Sequence, residues 1–427
     1  MSDATQPTPP AGPVLAADGT PLKRSLARAL RMQKARALML IAPLLIFVLL
    51  SFIVPILSML FRSVENDIVV NTLPNTVPIL AQWDASSGEL PPEEVYAAFA
   101  VDMKAAVDAK EHTKLGSRLN YEQTGIASMF RKSGRQIKKW DVPNDGPYKE
   151  KFIETHEGWG ETDTWKTIQT HSGRFTSGYF LNAVDMQKTP DGPQAQPEDK
   201  RILIKLFVRT LIMSLIITGA CILLGYPVAW ILANLPMRTA NVLMILVLLP
   251  FWTSLLVRTS AWKVMLQQQG VINEVLVWLG MVADDSRLVL INNQTGTIIA
   301  MTHILLPFMI LPMYSVMQTI NPSYLRAAKS LGATNWTAFW RVYFPQSIPG
   351  IGAGSILVFI LSIGYYITPE IVGGTKGVFI SNRIAYNISS SLNWGLAAAL
   401  GTILLVVVMG LYWCYDKIVG IDNVKLG

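Results

Sequence analysis

Residues 326–351, RAAKSLGATNWTAFWRVYFPQSIPGI, lie between two long apolar segments and hold three basic residues and no acidic one. Just ahead of them, Asn321 followed by Pro322 is a helix start, with a side-chain cap and proline at the first helical position. Gly332 is placed to end that helix in a left-handed conformation, which predicts a short helix over 322–331. Thr334 or Asn335 caps a second helix, whose aromatic residues Trp336, Phe339, Trp340 and Phe344 run up to Pro345, where it is expected to stop. A further cap at Ser347, with Pro349 just inside, starts the next apolar segment. Two short helices joined by a glycine turn and continued by a long apolar helix form an element that transmits force.

Composition identifies the solvent around this element. Of the 427 residues 51% are hydrophobic and 15% charged, mean hydropathy is +0.35, and the apolar residues are gathered into blocks, which points to a bilayer. Crossing a hydrocarbon core of roughly 30 Å takes about 20 apolar residues in a helix, because only intrahelical bonding satisfies the backbone there. Six blocks qualify: 38–61, 210–233, 239–257, 296–320, 346–369 and 392–415. Five of them contain no ionisable side chain apart from Tyr or Cys; the fourth holds His303 beside Pro307, read as a hydrogen-bonded interior residue. A buried proton relay has little material here, which counts against a proton-driven secondary carrier.

Lys and Arg near the helix ends set the orientation. Lys23, Arg24, Arg28, Arg31, Lys34 and Arg36 precede the first block, Arg238 follows the second, and Arg326, Lys329 and Arg341 lie in the opening stretch. All three groups fall on one side, so both termini and the quoted loop are expected in the cytoplasm. The net charge of +7 then reflects membrane topology and not nucleic-acid binding. The first block is too long for a signal-peptide core, and FRSVEND after it offers no cleavage site, so it is read as a retained anchor. The expected organisation is a cytoplasmic tail and basic helix over 1–37, a first span over 38–61, an extracytoplasmic insertion over 62–205, and a five-helix core over 206–427. Segment 23–36 either lies on the inner leaflet or serves only as positive charge.

The insertion is polar and nearly balanced in charge. PPEEVYAAFAVDMKAAVDA, 91–109, predicts a helix with Val95, Phe99 and Met103 on one face, and 121–137 predicts a second. No cysteine occurs in the insertion; the two in the chain, Cys221 and Cys414, lie within spans. Trp140, Trp159 and Trp165 either anchor the insertion to headgroups or form its core.

The pattern A-A-x-x-L-G-A, then F-x-x-V-x-x-P-x-x-x-P-G-I, filled by Ala327, Ala328, Leu331, Gly332, Ala333, Phe339, Val342, Pro345, Pro349, Gly350 and Ile351, resembles the EAA loop of the membrane subunits of binding-protein-dependent ABC importers. The resemblance implies the type I importer permease fold, all-α with six transmembrane helices, and makes 321–347 the coupling loop that fits a groove on an ATPase subunit. No GxxxxGK[ST] phosphate loop is present, in keeping with ATP being bound by a partner; no cofactor, metal site or bond chemistry is expected of this chain. One position departs from the family: Arg326 stands where the loop's glutamate belongs. Either the partner ATPase has an altered groove, or helix shape and the small Ala327, Ala328 and Gly332 surface provide most of the docking. The second reading is favoured and leaves Arg326 as a specificity determinant.

SIGYYITPEIVGG, 362–374, with VFISNRIAYNI and SLNWGLAAAL after it, resembles the fifth-to-sixth-span region of the spermidine/putrescine-type permeases, specifically the first of their two permease components. The resemblance implies an inner-membrane importer subunit working with an ATPase dimer, a second permease and a periplasmic solute-binding protein, with polyamine-like cations as cargo. In the residues themselves, Tyr365, Tyr366, Thr368 and Glu370 are expected at the outer end of the fifth span. Glu370 can attract an amine and the tyrosines can make cation–π contacts; an interfacial aromatic belt with a solvated acid is the alternative. Trp252, Thr253 and Ser254 are further pathway candidates, or helix-packing residues. An importer for a metal chelate, phosphonate or opine-like compound is the main rival.

Overall fold

Helices account for most of the described chain, with one antiparallel hairpin pairing Met186–Thr189 and Gly192–Ala195, and the computed structural model covers residues 22–142 and 144–419. Of the tail and basic helix expected over 1–37, residues 1–21 lie outside the described residues. Among those described, five helices are long and apolar enough to cross a membrane, or six if one sharply bent pair counts as a single span. The chain divides into two units, 1–61 and 62–427.

In the first unit the helix Leu22–Val48 passes through a π turn, Leu49–Ile53, into the helix Val54–Arg62. The basic run opens this helix and has no break that would let it lie apart from the span. Leu40, Phe52 and Leu57 are exposed, as suits a helix solvated by lipid.

The second unit begins with a helical body. Val95, Phe99 and Met103 on the helix Glu93–Asp108 are fully buried. Beside them, Trp159 and Trp165 lie in the core against Phe99, Phe130 and Phe152, with Trp140 packed at its edge. The polar ends of these rings are satisfied internally: Trp165 Nε1 donates to Tyr96 Oη at 3.1 Å, Tyr96 Oη to the Trp159 carbonyl at 2.7 Å, and Trp159 Nε1 to Ser133 Oγ at 2.8 Å. The second expected helix is shorter, Ile126–Ile137, and is preceded by another, His112–Asn120. Asp102, 2% exposed, accepts from the Asn75 and Thr76 amides at 3.0 and 2.7 Å and so caps the helix Thr76–Leu80 from a distance.

A charged cluster lies at the side of this body. Arg118 Nη1 is 2.7 Å from Glu122 Oε1, with side chains 6% and 7% exposed. Arg118 Nε donates to Asn66 Oδ1 at 2.9 Å, and its guanidinium stacks 4.7 Å from the Tyr179 ring centre. His171 Nε2 stands 3.9 Å from Glu122 Oε2. Burial pushes the His171 imidazole down to about 4, opposed by the Glu122 charge and helped by Arg118 and Lys188. Burial works to raise the Glu122 carboxyl, but the charges of Arg118 and His171 outweigh it and hold the group below its ordinary value.

The membrane core follows. The helices Leu203–Asn234, Gln294–Thr319 and Phe344–Gly364 share one apolar core that includes Met213, Ile217, Met309, Met313 and Val358. Glycines let them approach: a Cβ on Gly354 would stand 2.7 Å from Met309 Sδ, and one on Gly350 would stand 3.1 Å from Met313 Cα. The third expected span is not one rod. Met237–Leu248 passes into a 3₁₀ turn, Leu249–Trp252, that holds Pro250, and after Trp252 the chain turns by 93° into the helix Leu255–Met265, because proline removes a backbone donor while Ser254 Oγ accepts the Val257 amide to start a new helix. The last helix is Trp394–Val419.

Insertion and core are joined at two helix starts. The Asp185 carboxylate, held at φ 57°, accepts from the Leu203 and Ile204 amides at 2.9 Å each and caps the second span. A Cβ on Gly395 would overlap the Tyr179 ring, and Tyr121 Oη donates to the Ser391 carbonyl; both contacts hold the start of the last helix.

Candidate functional site

The loop after Gln294–Thr319 forms as its residues dictate. Asn321 Oδ1 accepts from the Ser323 amide at 2.9 Å and opens the helix Pro322–Ser330. Gly332 stands at φ 89°; its amide donates to the Lys329 carbonyl at 3.0 Å and the Ala333 amide to Ala328 at 3.1 Å, the paired bonds of a Schellman stop. Thr334 Oγ1 accepts from the Thr337 amide at 3.2 Å and starts the helix Asn335–Ala338.

Beyond this point the structure corrects the expectation. Pro345 does not end the second short helix, and Ser347 is not a cap. A π turn, Phe339–Tyr343, carries the helix into Phe344–Gly364, and Ser347 Oγ instead donates to the Phe344 carbonyl at 2.7 Å and lies 3.1 Å from Tyr226 Oη. The extra residue in the π turn displaces the carbonyl that the proline ring would strike, so the helix tolerates the missing donor. The same pairing occurs in the first unit, where the π turn Leu49–Ile53 ends two residues before Pro55.

These bonds divide the loop into a tip and a root. Leu331 is 89% exposed, and Arg326, Ala327 and Gly332 are exposed around it, while Ala328 and Ala333 are half-buried. Phe339 belongs to the root: it stacks with Tyr343 at 5.8 Å and meets Tyr226 of the second span edge-on at 6.2 Å. Pro345 is exposed where the loop helix becomes the span. The aromatic residues thus fasten the loop to two membrane helices and leave an apolar tip with basic Arg326 and Lys329 beside it.

The second group of candidates is spread over two elements. The span ends at Gly364, Tyr365 is half-buried against the membrane core, and Tyr366 is exposed before the helix Ile367–Val372. Thr368 is buried, its hydroxyl 3.1 Å from that of Thr259, so it packs the helix Ile367–Val372 against Leu255–Met265. Trp252, 78% exposed, and Thr253 sit at the bend, and Ser254 is spent on its cap. Glu370 Oε2 accepts from Asn382 Nδ2 at 2.6 Å, and the same amide donates to the Tyr366 carbonyl at 2.8 Å. Glu370 also lines a groove of about 550 Å³ with Lys205, Arg209 and Arg383. The sequence reading missed these cations because they come from the second span and the helix Ile380–Ser389. His303 accepts from Trp262 Nε1 at 3.1 Å and is exposed, not interior.

Residues 204–419 match the family described as binding-protein-dependent transport system inner membrane component; the match begins at the end of the insertion and leaves the first span outside it. The spermidine/putrescine transport system permease protein PotB of Escherichia coli (strain K12) is 37% identical over 216 residues, 50% of this chain and 78% of that protein. The molybdenum transport system permease protein ModB of Mycobacterium bovis is 29% identical over 191 residues, 44% of this chain and 70% of that protein. Among solved structures, a bacterial alginate ABC transporter in complex with alginate pentasaccharide-bound periplasmic protein aligns over 50% of this chain and 77% of that one, at 19% identity and TM-score 0.42. That likeness is too slight to argue from.

Proposed function

The chain belongs to the binding-protein-dependent transport system inner membrane components, the permease subunits of ABC importers, and from that premise we propose that it forms half of the pathway of an ATP-driven importer of polyamine-like cations. What supports the cargo is the 37% identity to the spermidine/putrescine permease protein over a stretch of 216 residues. What supports the coupling is the loop 321–347: an exposed apolar Leu331 on a rigid turn, rooted by Phe339 on two spans, is shaped to enter a groove on an ATPase. In this reading Arg326, Ala327, Ala328, Leu331, Gly332 and Ala333 meet the ATPase, Phe339 and Pro345 carry its movement into the span, and ATP is bound by that partner alone.

A second permease completes the pathway, and an extracytoplasmic binding protein delivers solute to Tyr365, Tyr366 and Glu370 and to Trp252 at the bend. Both termini and the loop lie in the cytoplasm, and the body over 62–205 lies outside. One observation favours a rival cargo: Lys205, Arg209 and Arg383 outnumber Glu370 along the outer groove, which suits an anionic solute such as a phosphonate or a metal chelate.

The test is reconstitution in proteoliposomes with a cognate ATPase, second permease and binding protein, followed by uptake of labelled spermidine. ATP-dependent, saturable uptake that Leu331→Asp abolishes is the expected result. Uptake without the ATPase overturns the importer reading; ATP-driven uptake of an anion and not of spermidine overturns the cargo.

A further inference from the structure

A cavity of about 510 Å³ opens on the seam between the helical body and the start of the last span, within the usual range of small-ligand pockets. One wall is the helix His112–Asn120; the opposite wall is the turn that leads into Trp394–Val419. Arg118 lines the cavity. Its side chain is 6% exposed, and although Nε and Nη1 are engaged by Asn66 and Glu122, the buried Nη2 has no partner among the described residues. A guanidinium held on two sides at a cavity wall, stacked on Tyr179 and left with one unpaired buried nitrogen, is a pre-oriented donor, and a buried donor without an acceptor is costly.

The charges around it are of both signs. Arg62 and Lys114 line the same cavity, and so do Glu65 and Asp67. Arg62 stacks 5.6 Å from the Trp394 ring centre, and Lys114 reaches only Glu111, at 4.0 Å; neither meets Glu65 or Asp67 among the described residues. Since Glu122 already balances Arg118, the cavity presents two further cations and two anions that do not neutralise one another directly. A purely anionic ligand would face Glu65 and Asp67, and a purely cationic one would face Arg62, Lys114 and the open edge of Arg118. The rim adds backbone strain: Leu392, exposed, is held at φ 58°, a conformation that costs a non-glycine residue about 1–2 kcal/mol and that clusters at ligand sites.

We propose that this cavity binds a small zwitterionic solute of the amino-acid class, its carboxylate on Arg118 Nη2 with Arg62 and Lys114 beside it and its ammonium toward Glu65 and Asp67. The site lies on residues 62–121, on Tyr179 and on 391–395, apart from the coupling loop and the outer groove, and stands whatever the transported cargo is. Bridging the body and the last helix, a bound ligand ties the two together.

The experiment is thermal unfolding of the full chain in lipid nanodiscs with L-alanine, L-glutamate, acetate or putrescine as probe, followed by equilibrium binding of the labelled amino acid that gives the larger shift. Expected is a rise in unfolding temperature with one or both amino acids and none with acetate or putrescine. Lys114→Gln and Ser117→Phe, on the exposed face of the cavity helix, are expected to unfold like the unsubstituted chain without ligand and to bind about tenfold or more weakly. Arg118→Lys, which keeps the charge opposite Glu122 and removes Nη2, is expected to lose the shift. No shift with either amino acid, an equal shift with putrescine or acetate, or full binding by Ser117→Phe overturns the proposal.

Discussion

Gly332 is the residue on which the loop turns, and its surroundings separate two effects that usually arrive together. The backbone stands at φ 89°, and nothing lies within 4 Å of the place a Cβ would occupy. A substitution there meets no steric obstacle, so the whole effect comes from the backbone. Alanine has to hold a left-handed conformation at a cost of about 1–2 kcal/mol, which lowers the population of the intact turn about five- to thirtyfold; a β-branched side chain raises that cost. Asparagine, which tolerates this conformation, costs least. The expected order of ATP-driven uptake in the reconstituted complex is therefore Gly332, then Asn, then Ala, then Val. ATP hydrolysis and membrane insertion should persist in all four, because the turn lies on an exposed tip and supports no core. Normal uptake by Gly332→Val would refute the argument. So would a loss in Gly332→Asn as deep as in Gly332→Val, since bulk at the tip and not backbone geometry would then be decisive.

Four further outcomes are expected. Glu370→Gln keeps an oxygen for the Asn382 amide and should leave assembly intact while slowing uptake of a cationic solute, read in the same liposomes. His171, depressed to about 4 when folded against about 6.5 unfolded, binds fewer protons folded than unfolded between those values. The chain should therefore lose up to about 3 kcal/mol as pH falls through that window, a fall that unfolding curves should find flattened in His171→Gln. Asp102→Ala leaves the amides of Asn75 and Thr76 uncapped and should cost about 3 kcal/mol, seen by chemical unfolding followed through Trp159 and Trp165 fluorescence. Gly395→Ala drives a methyl into the Tyr179 ring and should cost about 1–3 kcal/mol, with faster proteolysis at the seam as the readout.

What could be read in the chain beforehand was whatever depended on near neighbours. The turn at Gly332 and the caps at Asn321 and Thr334 are local devices, and each forms as written. The buried face of Val95, Phe99 and Met103 is a helical period and also forms. Pro345 misled because its effect depends on whether a wider turn precedes it, which no spacing of residues declares. The break in the third span did carry a signal, Pro250 followed by the capping Ser254, but it was masked by the apolar residues on both sides. The helix His112–Asn120 escaped because its apolar face is only Leu115 and Leu119; its packing rests on Gly116, where a Cβ would stand 2.8 Å from Phe130 Cβ. The Arg118–Glu122 spacing was visible, yet Asn66, His171 and Tyr179 reach it from far along the chain. The groove at Glu370 was illegible for the same reason: Glu370 reads as an isolated acid until Lys205, Arg209 and Arg383 are brought beside it.

The Asp185 clasp on Leu203 and the Tyr179 seat beneath Gly395 grip two rods that lie almost two hundred residues apart in the polypeptide. A body pinned at both points cannot swivel about either one alone, so whatever tilts those rods swings the whole headpiece with them.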